Sequence, residues 1–312
     1  MYFPYLRGKQ FELIALRELS PLLATNKSKI SPIIEPVKDS TTFKTVIGEL
    51  KARKINFTVI INPKNGDLQN ATSGILSLLK QELSGYNNFQ IGIILTGKES
   101  HRSLMASLKK YTSILHGLTL IHNTTYDNIG EIVSEYGSVI PVNYNVVHFG
   151  KTNRRYYRNF DSATIVELDD YFSVQQKNSD YKSIVESDFS EEHNFYKKDG
   201  FVGFSDFLTI GDNYSESGFL PYAVAIHLSY ADSTKKIKIK HFVSDSNDDT
   251  SDIAGKFAEA LDKLISWCDS TGYKSNAVET FRELYKSGHF PGLGTIKKLS
   301  IMNHIELILT LI

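Results

Sequence analysis

The sequence predicts an α/β fold of the (β/α)8 class, TIM-barrel-like, with a long acidic insertion, an appended β-hairpin and C-terminal helices. Short, continuously apolar runs alternate with helical patterns through the first half, which is typical of parallel strands joined by crossover helices. Seven such strands are complete by residue 168, and an eighth follows. The turn after the first strand, LRGKQFEL, has one glycine and no GxGxxG motif. A closed barrel is therefore favoured over an open doubly wound sheet.

The eight predicted barrel strands share short apolar runs rich in β-branched residues. They are 2–6, 30–37, 56–63, 90–97, 118–123, 138–147, 163–168 and 201–207. Apolar residues recur at helical spacing in the intervening segments 9–23, 41–53, 70–84, 99–114 and 127–136. Repeated units of this kind predict right-handed crossovers around one parallel sheet.

The regular alternation ends after the seventh strand. Residues 169–200 are polar and acidic, and we expect a long loop there. PYAVAIHLSY and KKIKIKHFVS, separated by ADST, predict a hairpin. Helices are predicted to follow at 252–268, 276–286 and 295–311. We therefore expect a barrel body at 1–210, which includes the acidic loop, and a hairpin and helical region at 211–312 packed on it.

The net charge is zero, from 35 basic and 35 acidic residues, and this excludes a broadly cationic coat for nucleic acid. The charge is nevertheless polarised along the chain. Residues 1–159 hold 20 basic and 11 acidic residues, whereas residues 160–260 hold 9 and 19. Nucleic-acid binding by the basic first half remains an alternative. The alternating lysines of the second hairpin strand are more typical of a protected sheet edge.

The single cysteine, Cys268, lies in a helical pattern and is expected to be a buried, unreactive thiol. A basic region followed by an apolar run is absent from the first residues, so no secretory signal is predicted. No apolar stretch approaches the ~20 residues of a membrane helix. We expect a cytoplasmic protein.

Polar residues follow the apolar bodies of the predicted barrel strands, where active sites of (β/α)8 barrels lie. Strand ends also reach solvent, so their polarity alone does not establish a pocket. Candidate catalytic residues are His122, Glu35 and Asp206, and candidate ligand-binding residues are Arg7, Lys9, Asn62, Asn143 and Glu167.

The residue types suggest specific roles. Arg7 offers a fork suited to phosphate or carboxylate, although a buried ion pair with Glu35 is the alternative. His122 is a candidate general base, or else a structural histidine. Glu35, Glu167 and Asp206 are the acidic residues available to a divalent cation, but their spacing does not establish a metal site. The sequence identifies no cofactor.

Two further histidines, His227 and His241, fall on the two hairpin strands and are expected to face each other. No third ligand is evident, so zinc is not predicted.

Several blocks resemble the bacterial and phage "beta protein" family. They are YFPYLRGKQFELIALRELS with SPIIEPVK, HFVSDSNDDTSDIAGKF and GHFPGLGTIKKLSIMNHIELI, and the resemblance spans nearly the whole chain. It implies a barrel-like fold and a place in mobile-element or anti-phage loci, often beside a nuclease-like protein. It supplies no catalytic residues. The arrangement Arg7, Gly8, Glu12 and Glu35 also resembles barrel glycerophosphodiesterases, but Leu6 and Val37 replace the expected histidine and acid, which counts against that enzyme class.

Three functions follow as hypotheses. The first is a subunit of an anti-phage defence or toxin–antitoxin-like system, which binds a protein partner and a phage-derived or nucleotide ligand at the barrel mouth. The second is a phosphodiesterase- or hydrolase-like enzyme that acts on a phosphorylated or nucleotide substrate. The third is a nucleic-acid-binding protein.

Overall fold

A computed structural model describes residues 1–215 and 220–312 and contains the predicted barrel. Eight parallel strands follow one another around it in chain order, interrupted only by β8 (Glu186–Ser190), which belongs to another sheet. The barrel strands are β1 (Tyr5–Leu6), β2 (Ile33–Ile34), β3 (Phe57–Ile60), β4 (Phe89–Leu95), β5 (Leu118–His122), β6 (Val142–His148), β7 (Ile165–Asp169) and β9 (Gly203–Asp206). The predicted fold class is confirmed.

Amphipathic helices connect the strands, and their apolar residues are buried as the helical spacing predicts. The connecting helices are α1 (Gln10–Thr25), α2 (Thr41–Ala52), α3 (Thr72–Glu82), α4 (His101–Lys110) and α5 (Ile129–Gly137). Ser40 caps α2 by accepting a hydrogen bond from the Phe43 amide at 3.1 Å. The segment between β6 and β7 is instead built from short 3₁₀ turns.

The barrel is closed by the segment that precedes β1. Tyr2 bridges Ile30 on one side and Phe204 of β9 on the other. The Phe3 amide donates to the Phe204 carbonyl at 2.9 Å, and the Phe204 amide donates to the Met1 carbonyl at 3.1 Å. The first and last strands therefore share a backbone ladder.

Two contacts identify the inner face of the barrel. The hydroxyls of Thr58 and Thr119 lie 3.3 Å apart although β4 separates their strands. The rings of Phe3, in the segment before β1, and Tyr144, in β6, meet with centroids 5.0 Å apart, although these segments are not neighbours in the sheet. Side chains on non-neighbouring strands meet only across the interior. Strand alternation then assigns every other residue to the outer face, under the helices.

The structure divides the chain differently from the predicted boundary at residue 210. One unit comprises residues 1–169 and 192–206, and the other comprises 170–191 and 207–312. The acidic segment predicted as a barrel loop contains α6 (Tyr181–Ile184) and β8 (Glu186–Ser190). It joins the second unit because β8 pairs with a hairpin strand. Residues 216–219 of the predicted second region lie outside the described residues.

The predicted hairpin is present as β10 (Ala225–Ala231) and β11 (Ile237–Val243). Since β8 pairs with the other side of β11, the alternating lysines line a central strand and not an edge. Lys238 binds Glu186 at 2.9 Å, and Lys236 binds Asp188 at 2.9 Å. Part of the acidic surplus of this half of the chain thus neutralises the lysines of its own sheet.

The end of the chain forms the three predicted helices, α8 (Ile253–Thr271), α9 (Asn276–Ser287) and α10 (Leu293–Leu311). A short helix, α7 (Glu192–Phe195), lies earlier, before β9. Cys268 is fully buried in α8, and burial raises the pKa of its thiol to about 11, so the thiol is protonated at neutral pH. Among the described helices, none is both long and apolar enough to cross a membrane.

Barrel closure depends on the absence of a side chain at Gly203. A Cβ there would meet the Met1 carbonyl oxygen and the Phe3 ring, the latter at 2.5 Å. We expect Gly203→Ala to lower the free energy of unfolding by about 1–3 kcal/mol, because the closing strands must separate. Gly48→Ala, in α2 with nothing within 4 Å of the added carbon, should instead stabilise by about 0.5–1 kcal/mol. Urea denaturation measures both, and equal effects would contradict this account of closure.

Candidate functional site

The structure brings Arg7 and Glu35 together at the ends of β1 and β2. Tyr5 connects them, because the Arg7 guanidinium carbon lies 5.8 Å from the Tyr5 ring centroid and the Tyr5 hydroxyl donates to Glu35 Oε2 at 2.8 Å. Arg7 is 3% exposed and Glu35 is fully buried. Arg7, Tyr5 and Glu35 therefore form a buried polar cluster at the end of the barrel that carries the carboxyl ends of the strands.

Glu35 also fixes the loop that follows β3. Its Oε1 accepts the backbone amide of Lys64 at 2.7 Å and the side-chain amide of Asn65 at 3.3 Å. With Tyr5 on the other oxygen, both carboxylate oxygens are used to hold protein groups. This geometry favours an anchoring role for Glu35 over its predicted catalytic role.

The turn after β1 is tight. Gly8 has a φ of +62°, and a Cβ would lie 3.0 Å from the Glu35 carbonyl oxygen, so glycine is required there. The Arg7 amide donates to Glu12 Oε2 at 2.6 Å, which ties the first turn of α1 to the end of β1. Lys9 is the residue before α1 and is half-buried.

Asn62 extends the ladder between β3 and β4. Its side-chain amide donates to the Ile94 carbonyl at 2.8 Å, while its Oδ1 accepts from the Ile94 amide at 2.9 Å. The side chain thus takes the place of a strand residue. This pairing accounts for an asparagine at the position without any ligand.

Asn143 does not lie at the rim where it was predicted. It is the second residue of β6, and its amide donates at 3.1 Å to Gln90 near the start of β4. The prediction is wrong because β6 continues to His148, five residues further than Asn143. Asn143 therefore lies toward the opposite, amino-terminal end of the barrel.

His122 faces the outer layer and not the mouth. Its Nδ1 lies 3.1 Å from the Tyr156 hydroxyl and its Nε2 lies 3.1 Å from Asn145 Oδ1. The Asn145 amide donates to Thr164, so the amide oxygen faces the histidine and Nε2 carries the hydrogen. Burial lowers the pKa of His122 to about 4, and the Asn145 bond only partly opposes this effect. Both ring nitrogens are occupied, which favours a structural role.

Glu167 and Asp206 also face outward. Register pairs Glu167 with Val147 and Phe204, and Asp206 with Asp169. Burial raises the pKa of Glu167 far above its usual value, and the nearby carboxylate of Glu192 adds to the shift. Asp206 is 1% exposed and accepts from the Tyr2 hydroxyl at 2.8 Å, beside the closing bridge.

Glu35, His122 and Asp206 are therefore not assembled into one site. Glu35 lies on the inner side of the barrel rim, whereas the other two lie beneath the outer layer. In residues 1–215 and 220–312, no group of three or more His, Cys, Asp or Glu side chains is placed to hold a metal ion.

A histidine that the prediction missed lies at the rim. His148 is the last residue of β6 and Asp169 is the last residue of β7. His148 is 2% exposed, and its Nδ1 lies 3.6 Å from Asp169 Oδ1. At Gly150 an added Cβ would lie 2.7 Å from the same carboxylate oxygen, so the following turn packs against the pair. The sequence NVVHF indicates this position, because its apolar residues predict that β6 extends to His148.

The loop after β6 also encloses a cavity of about 290 Å³ in the first unit. Arg154 supplies a cation to its lining and Asn153 an amide. The remaining lining residues are Val147, Phe149, Thr152 and Tyr157.

Comparison with known proteins finds no matching family model and no matching curated protein. The resemblance to the "beta protein" family remains a prediction. Among solved structures, the N-acetylneuraminate lyase of Mycoplasma synoviae matches 66% of this chain and 68% of its own, at 10% identity and a TM-score of 0.36. At that TM-score the lyase supports no inference about substrate or residues.

The expected role as a subunit of an anti-phage defence or toxin–antitoxin-like system is corrected by these comparisons. Neither family models nor curated proteins supply a defence relative. The protein partner remains an untested prediction.

The buried imidazole of His122 predicts a specific loss of stability in acid. The pKa of His122 is about 4 in the folded chain and 6.5 in the unfolded chain. Between these two values the imidazole is protonated in the unfolded chain and neutral in the folded chain. The contribution of His122 to the free energy of unfolding is therefore fully present above pH 6.5. It falls by about 3 kcal/mol as the pH is lowered to about 4. Denaturation of wild type and His122→Asn across this range measures the difference. The exposed His289→Asn should keep the wild-type slope, and an unchanged slope in His122→Asn would refute the assignment.

Glu167 predicts the opposite dependence on pH. Its folded pKa lies above the ordinary 4.5, so between these values the unfolded chain releases a proton that the folded chain keeps, and stability falls as the pH rises. Glu167→Gln should therefore stabilise the protein at pH 7 by about 1 kcal/mol or more, with less gain toward pH 4.5. Glu135→Gln, at an exposed helical position, serves as the control in the same melts. A destabilised Glu167→Gln at pH 7 would contradict the prediction.

Proposed function

We propose that the chain is an enzyme that hydrolyses a small phosphorylated substrate at the rim of the barrel. The observation that carries the proposal is the His148–Asp169 pair, on neighbouring strands, at the same end of the barrel as Arg7. A histidine beside a carboxylate, an arginine and a closed barrel are together suited to hydrolytic chemistry on an anion.

The pair supplies the acid–base step. Nδ1 lies 3.6 Å from Asp169 Oδ1, near enough for the carboxylate to stabilise an imidazolium, and we assign Nε2 as the base. Nε2 takes a proton from water while the water oxygen bonds to phosphorus and the bond to the leaving oxygen breaks. The imidazolium then returns that proton to the leaving oxygen, and Asp169 stabilises the cation in between.

Arg7 supplies the charge that holds the substrate. Its planar guanidinium matches two phosphate oxygens at once, and its 3% exposure strengthens that attraction because water screens it poorly. Glu12 and Glu35 act on the neighbouring backbone, since they fix the turn at Gly8 and the loop at Lys64. In this proposal they are positioning residues.

Hydrolysis of 4-nitrophenyl phosphate and bis(4-nitrophenyl) phosphate tests the proposal. We expect His148→Gln to lower kcat/KM by about 100-fold or more, since a general base contributes at least that much. Arg7→Lys should raise KM, because a lysine cannot form the paired contact. Asp169→Asn should displace the acidic limb of the pH profile.

Two exposed substitutions serve as controls, His289→Gln and Arg102→Lys, and all variants are compared for Tm. Wild-type protein that releases nitrophenolate from neither probe above the buffer rate would overturn the proposal. So would a folded His148→Gln variant with wild-type kcat/KM.

A further inference from the structure

The second unit contains a cavity of about 220 Å³ formed by the start of β10, α10 and the 3₁₀ turn at Leu208–Ile210. It is smaller than the pockets that accept drug-sized molecules, which measure ~300–1,000 Å³. Its lining is half apolar and half polar. The apolar half is Pro221, Val224, Ala225, Leu293 and Ile296, and the polar half is Asn178, Thr209, His227, Lys297 and Ser300.

Lys297 is the single charged residue in this lining. It is exposed, and within residues 1–215 and 220–312 no acidic side chain forms an ion pair with it. Among the described residues, the lining of the cavity therefore carries a positive charge and no carboxylate. A ligand with one negative charge would be favoured there over a neutral or cationic one.

Thr209 has a buried hydroxyl that nothing in the described chain satisfies. The residue is 5% exposed, and its Oγ1 has no hydrogen-bond partner in the parts of the chain that the structure describes. A buried hydroxyl without a partner destabilises the fold. A ligand oxygen in the cavity would remove that cost.

His227 is held by a second histidine. Its Nδ1 lies 2.9 Å from Nδ1 of His241, and Nε2 of His241 lies 3.0 Å from the Ser187 hydroxyl. Burial, together with the proximity of His241 and Lys297, lowers the pKa of His227 to about 3, and burial lowers the pKa of His241 to about 4. Both rings are therefore neutral at pH 7, and one hydrogen lies between the two Nδ1 atoms.

This arrangement allows two tautomers of His227. If His241 donates from Nδ1, then Nε2 of His227 carries a hydrogen and Ser187 donates to the other ring. If His227 donates from Nδ1, its Nε2 is an acceptor. An anion beside Lys297 favours the tautomer in which Nε2 of His227 carries a hydrogen, because the anion accepts a hydrogen bond and is repelled by a nitrogen lone pair.

We propose that this cavity binds a small monocarboxylate with a short apolar chain. The carboxylate accepts hydrogen bonds from His227 and Thr209 and pairs with Lys297, and the chain lies against Val224, Ala225 and the other apolar lining residues. A carboxylate offers about four acceptor sites, enough for these three donors. The apolar half of the lining is what distinguishes this ligand from a bare inorganic anion.

Titration of the full chain with straight-chain monocarboxylates from acetate to octanoate tests the proposal. We expect affinity to rise with chain length until the cavity is full and then to fall. Inorganic phosphate, as a separate titrant, should bind at least 10-fold more weakly than the best carboxylate. Histidine ¹⁵N spectra should show Nε2 of His227 becoming protonated on binding.

Two variants separate binding from folding. Lys297→Met should weaken the best carboxylate about 10-fold or more, whereas the exposed Lys274→Met in the same unit should not change it. Thr209→Val removes the unsatisfied hydroxyl, so it should keep or raise Tm while it weakens binding several-fold.

The proposal is overturned if no carboxylate binds at 10 mM, if phosphate binds as tightly as the best carboxylate, or if Lys297→Met binds as wild type does. Binding by a folded Thr209→Val variant at wild-type affinity would likewise refute the assigned donor. None of these results depends on nitrophenyl phosphate hydrolysis, so the two proposals fail separately.

Discussion

The backbone ladder between residues 1–3 and β9 is the constraint on which the barrel depends. Tyr2 bridges Ile30 and Phe204 at once, so a single short segment joins the first and last strands. Once the sheet is closed, each strand has one face in the interior and one beneath the helices. Closure therefore separates the polar strand residues into two groups. It leaves Arg7 and Glu35 at the rim and directs His122 beneath the outer layer.

The course of the barrel strands was predictable from sequence because buried parallel strands are continuously apolar. Because both faces of such a strand are apolar, the sequence does not show which residues face the barrel interior and which face the helices. In the run IVELD, Glu167 and Asp169 alternate with Val166 and Leu168, but the sequence does not show which of these two sets faces the interior. The rim position of Asn143 was predicted wrongly for a related reason. The polar residues Asn143 and Asn145 of β6 resemble a strand end, although backbone pairing continues to His148.

The acidic segment 169–200 shows a different limit of prediction from sequence. Its composition predicts a loop, yet Glu186 and Asp188 form salt bridges with lysines some fifty residues later in the chain. A strand recognised only through its partner has no local signature, because β propensity depends on the neighbours that it packs against. The facing of His227 and His241 was foreseen, since hairpin register follows from the turn between the strands.

The chain leaves the barrel after Asp169, returns to it at Glu192, and leaves again after Asp206. Neither unit can therefore be produced by cutting the chain once. During synthesis, β8 is made before β11, the strand with which it pairs. The backbone edge of β8 is therefore unpaired while β9, the final barrel strand, is synthesised. The charged residues of β8 suit that interval, because an edge strand that carries glutamate and aspartate resists pairing with another chain.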